Sequence, residues 1–153
     1  MPLKQFSSHL QRLKSQLDQK TALAKAIYRD FRIYDLGSFA LNRMTPKSGY
    51  TVQRNIPYGL KARHRLDLYK AKQLRDSQPL LVFVHGGAWM HGDKKEYHFV
   101  GEAFAKEGFN VAVINYHLAP EHIFPSSIDD LTLALNFLNQ SNLKLNIAVE
   151  NIV

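Results

Sequence analysis

One stretch, residues 80–93, constrains the fold more than any other part of the chain. Five apolar residues, Leu80 to Val84, lead directly into the sequence His-Gly-Gly-Ala-Trp. An apolar run of this length without alternation predicts a parallel strand that is buried on both faces. The two glycines permit unusual backbone angles and leave main-chain N–H groups open to an approaching group. Donors arranged in this way can bind the oxyanion that forms during acyl transfer.

A second block, residues 115–122, reads Asn-Tyr-His-Leu-Ala-Pro-Glu-His and is followed by Phe124-Pro125 and Asp130. Taken with residues 85–89, it resembles the two signature blocks of hormone-sensitive-lipase-like and BD-FAE-like carboxylesterases, which are esterases and lipases of the α/β-hydrolase fold. The blocks stand in the same order and at about the same separation as in that family. The resemblance covers residues 50–153 and implies the N-terminal half of such a hydrolase.

The N-terminal part of the chain has a helical pattern. Across residues 6–31 apolar residues recur at steps of three, four or seven, which predicts one or two amphipathic helices. These residues are Phe6, Leu10, Leu13, Leu17, Ala24, Ile27 and Phe31. The apolar stripe is expected to pack on the domain beneath it, and a membrane-surface or lid role is the alternative. In the resembled esterases such helices often form a cap over the substrate pocket. We therefore divide the chain into a helical segment and candidate cap, residues 1–45, and a truncated hydrolase domain, residues 46–153.

The fold class predicted is α/β, with an antiparallel hairpin at one edge of the sheet followed by a parallel βαβ unit. Residues 50–56 and 64–69 alternate well enough to form the hairpin, and Arg65 and Asp67 within it are expected to be structural. Residues 80–116 predict the βαβ unit, with a buried strand over residues 110–115.

Two helices are predicted after the glycine loop. Asp93 and Glu96 have capping-box spacing, and Gly108 is a natural residue to end a helix of about 14 residues. Its apolar face would carry Tyr97, Val100 and Phe104. Ser126 and Asp129 can cap the next helix, on which Ile128, Leu131, Leu135 and Leu138 share a face. Residues 151–153 then begin another strand.

The nucleophile of an acyl-transfer site is missing from the chain. This fold needs a serine in a G-x-S-x-G turn, and then a carboxylate and a histidine in that chain order. None of the nine serines has glycines at this spacing. The resemblance implies that the turn follows Val153 closely, so we expect the 153-residue chain to be inactive alone.

By resemblance, the residues of the glycine loop have different roles. The main-chain N–H groups of Gly87 and Ala88 are the candidate oxyanion donors, and Gly86 shapes the approach to them. The family usually has a third glycine where Ala88 stands, and a backbone donor survives that change. His85 is expected to brace the loop rather than act as the base, which lies far downstream in this family. Trp89 is expected to form a wall of the substrate pocket or part of the core.

No cofactor or metal site is expected from the spacing of the remaining histidines and acids. His91, His98, His117 and His122 lack the H-E-x-x-H spacing, so no metal ion is expected. His117 stands where relatives usually have arginine, which puts an ion pair at that position in doubt. Asp129 and Asp130 diverge on a helix, so they are expected to cap the helix and tether the loop of residues 116–125 rather than act as an acid–base pair.

Composition excludes some function classes. The chain has a net charge of +7 and no cysteine, so disulfides and thiolate metal sites are excluded. Residues 1–75 hold 16 Lys and Arg against 4 Asp and Glu, but the basic residues are interspersed with apolar ones, and we predict no nucleic-acid binding. No stretch is apolar enough to span a membrane and no leader is evident, which predicts a cytoplasmic protein.

The preferred interpretation is therefore that the chain is a fragment of a serine carboxylic-ester hydrolase, whose substrate is a small-molecule ester. An amidase or formamidase of the same fold is the first alternative, since related loops serve both leaving groups. A non-enzymatic remnant or binding module that uses the basic N-terminal helices is the second. We also expect self-association, because the strand over residues 80–84 would have one unpaired edge.

Overall fold

The structure of the chain is a computed structural model that describes residues 37–45, 47–76, 80–149 and 152–153. The amphipathic pattern of residues 6–31 lies outside these ranges. The described part of the chain begins with a helix, α1, over residues 37–44. The other elements are β1 (Tyr50–Pro57), β2 (Arg65–Ala71), β3 (Leu80–Val84), a 3₁₀ turn (Lys94–Tyr97), α2 (His98–Lys106), β4 (Asn110–Ile114), α3 (Ser126–Gln140) and α4 (Asn142–Leu145).

The four strands form one sheet in the order β1-β2-β4-β3. β1 pairs with β2 and β2 with β4 in antiparallel fashion, whereas β3 and β4 are parallel neighbours. The predicted edge hairpin and the predicted βαβ unit are both confirmed. A parallel bridge joins Leu80 to Ile152, so residues 152–153 begin a further strand beside β3, as predicted.

Both faces of the sheet are covered. Ala112 and Ile114 of β4 belong to the core on the side of α3 and α4, whereas Val111 and Val113 belong to the core that contains Ala105 of α2. All five residues of β4 are buried, which explains its continuous apolar sequence. In β3 only Leu80 is fully buried and the other four residues are half-buried. The prediction of a strand buried on both faces therefore fits β4 better than β3, because residues 152–153 cover only the start of the outer edge of β3.

Asp93 and Gly108 begin and end the helical segment between β3 and β4, as predicted. The Asp93 carboxylate accepts a hydrogen bond from Lys95 N at 3.0 Å and caps the 3₁₀ turn that precedes α2. Gly108 has a φ of +91° just beyond the end of α2, an angle that favours glycine.

One prediction for α3 is wrong and a second is only partly right. The residue before the helix is Pro125, and the start of the helix has no side-chain cap, so Ser126 and Asp129 do not cap it. On the predicted apolar face Leu138 is buried and Leu131 packs against the core, whereas Ile128 is 45% and Leu135 39% exposed. The fully buried residues of α3 are Asp130, Ala134 and Leu138. A pattern of apolar residues cannot identify the buried stripe that begins at Asp130, because its first position is a carboxylate whose hydrogen-bond partners lie far away in the sequence.

None of the helices in the described ranges is long and apolar enough to cross a bilayer.

Candidate functional site

The loop after β3 turns sharply through positive φ angles. They are 126° at Gly87, 51° at Ala88, 62° at Trp89 and 104° at Gly92. The turn is closed by two hydrogen bonds of 3.0 Å, from Met90 N and His91 N to the carbonyl oxygen of Gly87. In the described part of the chain, the main-chain N–H groups of Gly87 and Ala88 have no hydrogen-bond acceptor. The loop therefore presents two adjacent backbone donors.

Two glycines in the loop are required by close packing as well as by their angles. A Cβ atom on Gly87 would overlap the carbonyl group of His91. A Cβ atom on Gly92 would come within 2.5 Å of His85 Nδ1 and 2.7 Å of the Gly86 oxygen. Because the overlap at both positions involves backbone atoms, no side-chain rotation can relieve it. The sequence identifies Gly92 only as the end of the loop, whereas the structure shows that it makes room for the His85 ring.

His85 lies beneath the loop and is 2% exposed. Its Nδ1 donates to the Gly86 oxygen at 2.8 Å, and its own carbonyl oxygen accepts a hydrogen bond of 2.7 Å from the Tyr116 hydroxyl. The ring stacks on that of Tyr116, with centroids 4.4 Å apart. Burial lowers the pKa of His85 more than the bond to Gly86 raises it. The side chain is thus a neutral imidazole that holds the loop backbone in place.

Trp89 is 50% exposed and is therefore not a core residue. Its ring meets the Tyr116 ring edge-on at 5.4 Å, and its carbonyl oxygen accepts a hydrogen bond of 2.8 Å from Ala119 N. These contacts place the two sequence blocks side by side. The exposed side chains of Ile123 and Phe124 belong to the second block.

Arg63 also joins the two blocks, and the sequence offered no signal for it. Its Nε donates to the Tyr116 oxygen at 2.6 Å and its Nη2 to the Gly92 oxygen at 2.9 Å. Asn115 makes a second link, because its Nδ2 donates to Asp93 Oδ2 at 3.0 Å. Burial would raise the pKa of Asp93, but hydrogen bonds from Lys95 N and Asn115 outweigh it, so the pKa is lowered and the carboxylate is ionised.

A carboxylate shared by two histidines lies at the base of the second block. Asp130 Oδ2 accepts hydrogen bonds from His117 N at 2.8 Å and His117 Nδ1 at 2.6 Å. Its Oδ1 is 2.8 Å from His64 Nε2. Burial would raise the pKa of Asp130, but the His117 N–H and the two imidazoles outweigh that effect and lower it. The predicted tethering of the loop by Asp130 is confirmed, and His117 makes the contact in place of arginine.

A separate polar cavity of about 390 Å³ has Arg54, Asp67 and Lys94 among its lining residues. Asp67 Oδ1 accepts hydrogen bonds from Lys94 Nζ at 2.6 Å and Asn55 N at 2.8 Å. Both partners of the Asp67–Lys94 ion pair are almost completely buried. Asp67 therefore has the structural role that the sequence predicted for it.

Comparisons with known proteins agree with this architecture. The family model BD-FAE matches residues 66–153. Over 87 residues the chain is 33% identical to the probable isoprenylcysteine alpha-carbonyl methylesterase ICMEL1 of Arabidopsis thaliana, which covers 57% of this chain and 18% of the relative. It is 34% identical over 79 residues to carboxylesterase NlhH of Mycobacterium tuberculosis, covering 51% and 25%. It is 30% identical over 95 residues to kynurenine formamidase of Drosophila melanogaster, covering 62% and 31%.

Solved structures share the fold. Esterase B of Lactobacillus rhamnosis superposes with a TM-score of 0.71 at 20% identity, over 90% of this chain and 43% of that one. An esterase of Pyrobaculum calidifontis gives 0.68 at 24% identity, over 83% and 41%. This chain therefore spans less than half the length of these esterases and a smaller part of the curated relatives. With the family match covering more than half of its residues, the chain belongs to the BD-FAE family of α/β-hydrolase-fold carboxylesterases.

Proposed function

We propose that this chain forms the oxyanion-binding part of a serine carboxylic-ester hydrolase that works through an acyl-enzyme. The observation that carries the proposal is the pair of backbone donors at Gly87 and Ala88, whose N–H groups have no acceptor within the described residues. When a nucleophile attacks an ester carbonyl, negative charge develops on its oxygen, and two preorganised amides stabilise that charge. Ala88 serves as well as glycine here, because the donor is its main-chain N–H.

The neighbouring residues have supporting roles. His85 holds the loop from below, and its neutral, buried ring is inaccessible to substrate. Gly86 leaves space beside the donors, since among the described residues only the Tyr97 hydroxyl comes within 4 Å of a Cβ placed there. The half-exposed Trp89 ring forms one wall of the pocket for a small-molecule ester. No serine among these 153 residues stands in a G-x-S-x-G turn, and we expect the catalytic acid and histidine to lie outside them as well. We therefore expect the chain alone to have no esterase activity.

Amide hydrolysis is the second candidate, because a kynurenine formamidase is among the relatives. An oxyanion site stabilises the tetrahedral intermediates of esters and amides alike, so the loop does not separate the two reactions. Comparing turnover of a p-nitrophenyl ester with that of an aryl formamide, in a protein that contains the complete triad, would distinguish them.

The test uses a chimera of residues 1–153 with the C-terminal part of one of the matching carboxylesterases. We expect the chimera to hydrolyse a short-chain p-nitrophenyl ester and to react with a fluorophosphonate probe. The 153-residue chain alone should do neither, because the nucleophile is absent. Stoichiometric labelling of the chain alone at Ser38, Ser126 or another serine would contradict the proposal.

The donors themselves are tested by removing their N–H groups. In the chimera, Gly87→Pro should lower kcat by about a hundredfold or more, the effect of losing one oxyanion donor. Proline cannot adopt the φ of 126° found at Gly87, so this substitution also disturbs the loop. A second, less disruptive test replaces the amide bond between Gly87 and Ala88 by an ester through semisynthesis, which removes the Ala88 N–H. Ala88→Gly keeps the N–H and is the control, with turnover expected near that of the parent. Full turnover in a folded protein that lacks either N–H would show that the assignment is wrong.

A further inference from the structure

Three buried side chains from different parts of the fold meet below the second block. His64 precedes β2, His117 follows β4, and Asp130 lies in the first turns of α3. They are 4%, 7% and 5% exposed. One nitrogen of each imidazole and one carboxylate oxygen all lie within 4.8 Å of one another. Two imidazoles and a carboxylate are ligands that Zn²⁺ and similar ions prefer in proteins.

The hydrogen bonds of the cluster hold these atoms close to the positions that a metal ion needs. His64 Nε2 is 2.8 Å from Asp130 Oδ1, and His117 Nδ1 is 2.6 Å from Asp130 Oδ2. Ligands of a tetrahedral zinc ion, each about 2.0–2.1 Å from it, are separated by roughly 3.3 Å. Each of these two nitrogen–oxygen distances would therefore lengthen by about half an ångström when an ion takes the place of the hydrogen-bonding proton.

The surroundings orient the ligands. The Tyr58 ring stacks on His64 with centroids 5.0 Å apart, which fixes the plane of the imidazole. The half-buried His122 ring packs against that of His117, with centroids 4.2 Å apart. Coordination through Nε2 requires His64 to carry its remaining proton on Nδ1. With that proton on Nδ1, His64 can no longer accept the hydrogen bond from Lys61 N. The bond lost is weak, because the two nitrogens are 3.4 Å apart.

We propose that His64, His117 and Asp130 form a site for a divalent transition-metal ion, with Zn²⁺ the best match. The ion would join the hairpin, the loop of residues 116–125 and α3 at one point. Its place in the molecule is structural and separate from the backbone donors at Gly87 and Ala88. No step of ester hydrolysis depends on it.

The site is tested on the full 153-residue chain by titration with Zn²⁺, followed by calorimetry, and with Co²⁺, followed by visible absorption. We expect one ion per chain and the intense d–d bands of four-coordinate Co²⁺.

The informative variant is His117→Arg. Arginine can still donate to Asp130 and so preserve the fold, but it cannot bind the ion. We expect at least about a tenfold loss of Zn²⁺ affinity, the scale on which loss of metal-site residues is felt. Asp130→Asn is a second test if the arginine variant does not fold. His98→Gln, a histidine outside the cluster, is the control and should bind as the parent does.

Two results would overturn the proposal. The first is parent protein that binds no Zn²⁺ and gives only the pale spectrum of six-coordinate Co²⁺. The second is unchanged affinity in a folded His117→Arg or Asp130→Asn variant. Either result would mean that the cluster is a hydrogen-bonded His–Asp–His network and nothing more.

Discussion

At Ala88 and Trp89 the backbone adopts left-handed angles, with φ of 51° and 62°, in two consecutive residues that are not glycine. Such angles cost an L-residue about 1–2 kcal/mol each. Hydrogen bonds from Met90 N and His91 N to Gly87, and from Ala119 N to Trp89, hold the loop in this form. In this conformation the Ala88 N–H has no acceptor among the described residues, so the donor is available at the cost of strain at single residues.

The first prediction concerns the strain at Ala88. Ala88→Gly should leave the free energy of unfolding unchanged or raise it by up to about 1 kcal/mol, because glycine adopts this angle without penalty while gaining freedom in the unfolded chain. Urea unfolding of the 153-residue chain measures the change.

The control for this prediction is Ala103→Gly, at an exposed position within α2. The same substitution there should lower the free energy of unfolding by about 1 kcal/mol, since a helix interior disfavours glycine. Equal losses at both positions would mean that Ala88 is not strained.

At the scale of elements, α2 lies very close to β2. A Cβ atom on Gly101 would overlap the Tyr69 ring, so glycine at this position lets the helix approach the sheet. The buried face of α2 carries Val100, Gly101 and Ala105, whereas Phe104 is 42% exposed. The predicted face of Tyr97, Val100 and Phe104 is therefore wrong at Phe104. Apolar periodicity favours large residues, whereas close packing here selects the small ones.

The second prediction is that Gly101→Ala destabilises the fold. Alanine gains about 1 kcal/mol in helix propensity over glycine. Overpacking against Tyr69 should outweigh that gain and give a net loss of about 1–3 kcal/mol in the free energy of unfolding. Gly37→Ala in α1 is a matched control, because within the described ranges nothing lies within 4 Å of a Cβ at Gly37. If the two substitutions had the same effect on urea unfolding, Tyr69 would not be the cause.

At the scale of the whole molecule, the two edges of the sheet differ. The β1 edge has a register shift between Gln53 and Ile56 and ends in Pro57, features that discourage pairing with another strand. The outer edge of β3 belongs to a wholly apolar strand. Two backbone hydrogen bonds pair it with Val153, from Val153 N to the Leu80 oxygen and from Val82 N to the Val153 oxygen. In the described ranges its further end, at Val84, has no strand beside it on this outer edge.

The third prediction is that the 153-residue chain associates with itself through the β3 edge. Light scattering over a range of protein concentrations should show mass that rises with concentration. Val84→Lys should reduce the association, because a lysine on an edge strand opposes pairing. Thr51→Lys, an exposed position on the β1 edge, should not. A monodisperse monomer at every concentration, with a sharp cooperative melt, would contradict the prediction.

The order of elements from β3 to β4 could be predicted from the sequence because its signals are local. An apolar run, two glycines, a capping aspartate and a helix-ending glycine each act within a few residues of the chain. The loop at Gly87 and Ala88 could be found for the same reason.

The tertiary structure alone decided which polar residues are buried together. His64 and Asp130 are 66 positions apart, yet their side chains are 2.8 Å apart. Arg63 reaches Tyr116 across 53 positions. A buried carboxylate is tolerated only where hydrogen-bond partners converge on it, and those partners come from distant elements. Apolar spacing along α3 therefore predicted a helix correctly but only part of its buried face, because the position of Asp130 depends on histidines that the fold brings to it.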